Sequence, residues 1–113
     1  MSSKDFAKAD SNKNRLELIQ PEFILGLGEV LTFGATKYAP NNWMKAKPKD
    51  VERIKGATLR HQLAYMSGEK KDPETGISHL HHISCNLMFL DYFDRKLEEI
   101  ECQVNNSKEE EHD

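Results

Sequence analysis

Cysteine is scarce in this chain: Cys85 and Cys102 are the two it has, and neither belongs to a CxxC pair. Zinc-ribbon and disulfide-framework architectures are thereby excluded, and a reducing, intracellular setting becomes the default expectation. Excess positive charge is missing as well. Sixteen Lys and Arg face nineteen Asp and Glu, for a net charge of -3 and a pI near 5.9, which argues against a general nucleic-acid binder. No apolar run approaches the ~20 residues that a membrane-spanning helix needs. The opening residues, Met1 to Asp5, lack the apolar stretch of a signal peptide, so a cytoplasmic protein with no membrane partner is expected. There is no P-loop, no GxGxxG and no GxSxG, and neither thiol has a base beside it in sequence. No segment alternates apolar and polar residues with a period of two, so the expected fold class is all-α.

What remains is one small domain: 113 residues with 37% hydrophobic and 31% charged residues make a modest core. Residues 1–14 are polar and are expected to form a flexible arm, because they offer little apolar surface to offset their ordering entropy. Residues 105–113, which include Glu109, Glu110, Glu111 and Asp113, are expected to be an acidic, disordered tail. The folded domain then spans 15–104.

Three helices are expected within it. The first opens at Pro21, suited to a first helical turn, carries Phe23, Ile24, Leu27, Val30 and Leu31, and is expected to stop at Gly34. It is apolar around most of its circumference, as a central or subunit-contacting helix would be. Gly26 and Gly28 suggest close approach by a neighbouring backbone. The second helix runs from Pro48 to about Ser67, with Gly68 placed as a C-terminal cap. Val51, Ile54, Thr58, His61 and Tyr65 share one sector of it. The third takes Ser78 as its N-cap and reaches about Gln103, with Leu80, Ile83, Leu87, Leu90 and Leu97 as its stripe. A bundle this small is expected to be completed by a homodimer or higher homo-oligomer.

Chemistry-bearing residues concentrate in three places. Glu69, Asp72 and Glu74 put three carboxylates within six positions, as a site for a hard cation or as a solvated turn. Glu69 and Asp72 would share one side if that stretch were helical. His79, His82 and Asn86 lie on one face of the third helix, as metal or phosphate ligands or as core side chains bonded to backbone. His81 points elsewhere and reads as a surface residue. His61 falls on the apolar sector of the second helix, with Arg60 off that sector and available to a phosphate or to a loop carboxylate. In the first connecting loop, Tyr38 and Trp43 offer flat faces for a base, Asn42 an amide for its edge and Lys37 a point charge. Trp43 would serve equally to pack the loop onto the helices.

Arg15 to Pro21, then Phe33 to Tyr38 with Asn42 and Trp43, then Arg60 and His61 through Gly68, Glu69, Asp72, Glu74, Thr75, Gly76, His79, His82, Cys85 and Asn86 follow one another in an order and spacing that resembles the phage-type dATP/dGTP diphosphohydrolase N-terminal domain family, related to the MazG-like nucleotide pyrophosphohydrolases. The resemblance covers about Arg15 to Leu97. It implies a helical, dimeric protein that splits purine deoxynucleoside triphosphates into monophosphate and pyrophosphate with Mg²⁺ or Mn²⁺. On this reading Glu69, His61 and His82 are the expected catalytic residues. Glu69, Asp72, Glu74 and His79 are the expected metal ligands, and Lys37, Tyr38, Asn42, Trp43, Arg60 and Asn86 the expected substrate contacts. The chain departs from the MazG signature in lacking an EExxE helix; Glu69 and Asp72 match only its second half, ExxD. A non-catalytic module that sequesters a nucleotide or nucleotide signal is the alternative, and a helical interaction protein a third.

Overall fold

The computed structural model describes residues 12–111, with side chains through 106. The all-α expectation holds: three α-helices, α1 (Pro21–Lys37), α2 (Pro48–Met66) and α3 (His79–Glu111), carry the fold. Single 3-10 turns at Leu16–Leu18 and Asn42–Lys45 precede and follow α1. Among the described residues the sole β-pairing is an isolated antiparallel bridge between Lys71 and Ser78. α1 and α2 each pack chiefly against α3, which is the spine of the molecule.

Punctuation in the sequence sets most boundaries. Pro21 and Pro48 occupy first turns, where a missing N–H costs no helical hydrogen bond. The Asp50 carboxylate accepts the Lys47 backbone N–H at 3.0 Å and closes the start of α2. Gly68, at φ 105°, ends α2 as expected, and the Glu69 N–H turns back onto the Ala64 carbonyl at 3.0 Å. Ser78 caps α3 as expected, its Oγ accepting the Leu80 N–H at 3.2 Å.

Two boundaries differ from the sequence expectation. α1 continues past Gly34 to Lys37, because the Tyr38 N–H closes onto the Gly34 carbonyl at 2.9 Å. α3 runs past Gln103 to Glu111, so the backbone is helical where a disordered tail was expected from Asn105. The arm expected at 1–14 lies mostly outside the described residues.

The interior is narrow. Cys85 is the one fully buried side chain among the described residues, and His79 and His82, at 3% and 9% exposure, are the buried polar ones. Burial pushes the Cys85 thiol up to about 11. Gly26 is the buried residue of α1, and a Cβ there would overlap the His81 imidazole. His81 is thus half-buried between α1 and α3, with its ring edge-on to Phe23 at 5.6 Å. This corrects its reading as a surface residue; Gly26 admits a side chain where a backbone had been expected. The Asn42–Lys45 turn is held by Trp43, which stacks on Phe89 at 4.5 Å and meets Tyr92 and Phe93 edge-on. Each such pair adds ~0.5–1.5 kcal/mol beyond area burial.

Gly26→Ala is expected to destabilise the chain by about 1–2 kcal/mol. The overlap with His81 outweighs the ~1 kcal/mol gain in helix propensity. Gly28→Ala, which meets nothing within 4 Å, should instead raise stability by up to ~1 kcal/mol. Urea unfolding of the two variants checks both signs.

Candidate functional site

A cleft of about 650 Å³ opens between the C-terminal half of α1, the 38–43 loop, α2 and the first turns of α3. In its lining, His61, Asp72 and His82 each bring a ligand atom within 4.8 Å of the others. The walls are Phe33, Tyr38, Trp43 and Phe89, with the amides of Asn42 and Asn86 among them.

The 69–78 loop delivers Asp72. Pro73 forbids helix there, and Gly76 at φ 73° turns the chain back. Cross-loop bonds then close it: Asp72 N–H to the Ile77 carbonyl at 2.9 Å, Gly76 N–H to the Asp72 carbonyl at 2.7 Å, and His79 N–H to the Lys70 carbonyl at 2.9 Å. Glu69 and Asp72 therefore do not share a helical face. One carboxylate oxygen of Asp72, Oδ1, accepts the Glu74 N–H at 2.9 Å. The other, Oδ2, lies 3.7 Å from His82 Nε2.

The histidines form a connected group. His61 and His82 stack with centroids 4.6 Å apart and planes 2° from parallel. His61 Nδ1 lies 2.8 Å from His79 Nδ1, and His79 Nε2 lies 2.8 Å from Glu69 Oε1. Thr75 Oγ1 lies 2.8 Å from His82 Nε2 and accepts the Ile77 N–H at 3.2 Å. Burial holds His61 and His82 below the ordinary imidazole pKa. Neighbouring imidazoles push the same way, and the Asp72 carboxylate opposes. Both rings are therefore neutral at pH 7, the form that ligates a metal or accepts a proton.

The expected residues take up different places. His61, Asp72 and His82 converge. Tyr38, Asn42, Trp43, Glu74 and Asn86 line the same cleft. Lys37 stands at its rim, 3.6 Å from Glu74 Oε1 and 5.3 Å above the Tyr38 ring, so Glu74 pairs with a cation and lies outside the three-residue cluster. Glu69 and His79 were expected as metal ligands, Glu69 also as catalytic. Both sit one layer behind: His79 contacts Glu69 through Nε2 and His61 through Nδ1. Arg60 is exposed and does not line the cleft, because successive helical residues diverge by about 100°. Phe89 escaped the sequence reading, although it continues the His82–Asn86 face three residues on. Thr75 stood in the family-like run without an assigned role, and only the fold brings it to His82.

The sequence of this chain has matches among known proteins. The dATP/dGTP diphosphohydrolase N-terminal family matches residues 3–102, and the chain belongs to that family. A dATP/dGTP diphosphohydrolase of Salmonella phage PMBT28 is 37% identical over 83 residues, which are 74% of this chain. The match spans 28% of that relative's length. No solved structure matches.

His61 and His82 bind protons less readily in the fold than in the unfolded chain, whose histidines titrate near 6.5. Stability of the metal-free protein is therefore full above about pH 6.5. It is expected to fall as the pH drops through the lowered folded values. Urea midpoints at about pH 7.5 and 5.5 should show this decline, and it should be shallower in His82→Gln.

Proposed function

We propose that the cleft binds a purine deoxynucleoside triphosphate and hydrolyses it to the monophosphate and pyrophosphate, with a divalent ion held by His61, Asp72 and His82. The observation that carries this reading is the convergence of these three side chains within 4.8 Å in a cleft large enough for a nucleotide. The name of the phage relative supports the reaction and its substrates.

The donor set fits a metal. His61 keeps one ring nitrogen outside its bond to His79, and Asp72 Oδ2 makes no backbone bond. Two imidazoles with one carboxylate suit a transition ion better than Mg²⁺, which takes oxygen ligands, so Mn²⁺ is the preferred member of the expected pair. Such an ion, when bound, supplies charge neutralisation at the phosphates and acidifies a bound water.

The chain's own groups do the rest. Tyr38 has an exposed ring on which a base can stack, while Trp43 has one face occupied by Phe89 and serves as the fixed wall. Asn42 and Asn86 offer amides to the base edge or sugar. Lys37 exchanges its Glu74 partner for a phosphate oxygen at the rim. Neutral His61 and His82 hold lone pairs available to metal or proton, which a charged imidazole would lack.

Incubation with dATP or dGTP and Mn²⁺ is expected to release monophosphate and pyrophosphate in equal amounts, resolved by ³¹P NMR. Asp72→Asn and His82→Ala should each lower the rate by about 10²-fold or more, given the several kcal/mol that metal polarisation contributes. Nucleotide bound but recovered intact with every divalent ion would favour sequestration. No binding at all would end the nucleotide reading.

The same reading includes self-association. Ile24, Leu25, Leu59, Leu63 and Met66 are all more than half exposed, while Cys85 is the one buried apolar side chain among the described residues. Isolated subunits seldom leave so much of their apolar surface in water. Light scattering is expected to give at least twice the 13.0 kDa chain mass; a monomer at micromolar concentration would overturn it.

A further inference from the structure

We propose that Glu69 and His79 are positioning residues that fix the tautomer of His61, leaving its Nε2 as a bare lone pair. The proposal deepens the reading of the cleft given above, but concerns only where one proton sits.

The inference rests on counting donors along the chain Glu69 Oε1, His79 Nε2, His79 Nδ1, His61 Nδ1, in which both links that join residues are 2.8 Å. An ionised carboxylate can only accept, so His79 must donate from Nε2. A neutral imidazole carries one N–H, so His79 Nδ1 is bare and must accept. The donor to it is His61 Nδ1–H. His61 has then used its single proton, and Nε2 is left unprotonated. At a pH where both rings are neutral, no other placement satisfies both contacts.

The surroundings make the count binding. His79 is 3% exposed, so water is a poor substitute partner for either of its nitrogens. Glu69 is half-exposed, with its side chain in contact with solvent. It reaches His79 because Gly68 ends α2 in the left-handed region and turns the chain back toward α3. His61 is itself a wall of the cleft and one of the three converging residues. The free side chain in water prefers the opposite, Nε2–H form, so the arrangement is imposed by the protein. An orienting shell of this kind typically governs metal affinity or activity by about 10–100-fold.

The test is a long-range ¹H–¹⁵N correlation spectrum of the metal-free, ¹⁵N-histidine-labelled full chain. It is recorded at about pH 8, above the ordinary histidine range, with His61 assigned through His61→Gln. The expected spectrum has His61 protonated at Nδ1 and His79 at Nε2. In Glu69→Gln, whose amide both donates and accepts, His61 should shift measurably toward the Nε2–H form. Glu69→Ala should do the same if the glutamine variant is poorly folded. A wild-type His61 in the Nε2–H form, or one averaging between tautomers, overturns the proposal with no variant needed. So does a His61 signal unchanged in both folded variants. The expected tautomers without any nucleotide turnover would leave the relay standing and remove the hydrolytic reading. Turnover with His61 in the Nε2–H form would do the reverse.

Discussion

Two imidazoles enter the interior at the start of α3, and their four ring nitrogens constrain what surrounds them. His79 and His82 are the buried polar side chains of the described chain, and a buried nitrogen without a partner costs ~1–3 kcal/mol. Their known partners come from elsewhere: Glu69, Asp72 and Thr75 from the preceding loop, His61 from α2. The loop cannot be a helix extension, because Asp72 and Thr75 would then be unable to turn back. α2 cannot slide along α3 without breaking the His61–His79 contact. A polar requirement at two positions thus sets the register of a helix pair that has little apolar core to set it.

Much of this architecture was legible in the sequence because its boundaries are written in residues with few conformational choices. Pro21, Pro48, Gly68, Pro73, Gly76 and Ser78 mark the elements, and each acts locally. Gly34 misled because a glycine is compatible with ending a helix and with lying inside one; the decision rests with the Tyr38 N–H, which found the Gly34 carbonyl. The tail after Gln103 misled for the related reason that an acidic composition does not forbid helix.

The site was legible in kind and less so in arrangement. Histidines, carboxylates and loop aromatics were recognisable as the polar groups of an otherwise apolar surface. Which of them meet depends on contacts between residues 10 and 18 apart, such as Glu69 with His79 and His61 with His79. Helical rotation explains why Arg60 leaves and His61 stays. The donors that converge are two imidazoles and one carboxylate, from His61, His82 and Asp72. Glu69 contacts His79 and stands outside the three-residue cluster, and Glu74 pairs with Lys37.

Cys85 carries a consequence of a different order. A thiol reacts as its thiolate, and a side chain with no exposed surface and a pKa raised to about 11 offers almost none at neutral pH. Cys102 on the same helix is exposed and reacts without waiting. The chain therefore carries its own clock and its own calibration. Alkylation of the outer sulfur marks the start, and alkylation of the inner one counts how often α3 parts from the helices packed on it. A ligand bridging His61 on α2 and His82 on α3 would slow only the second.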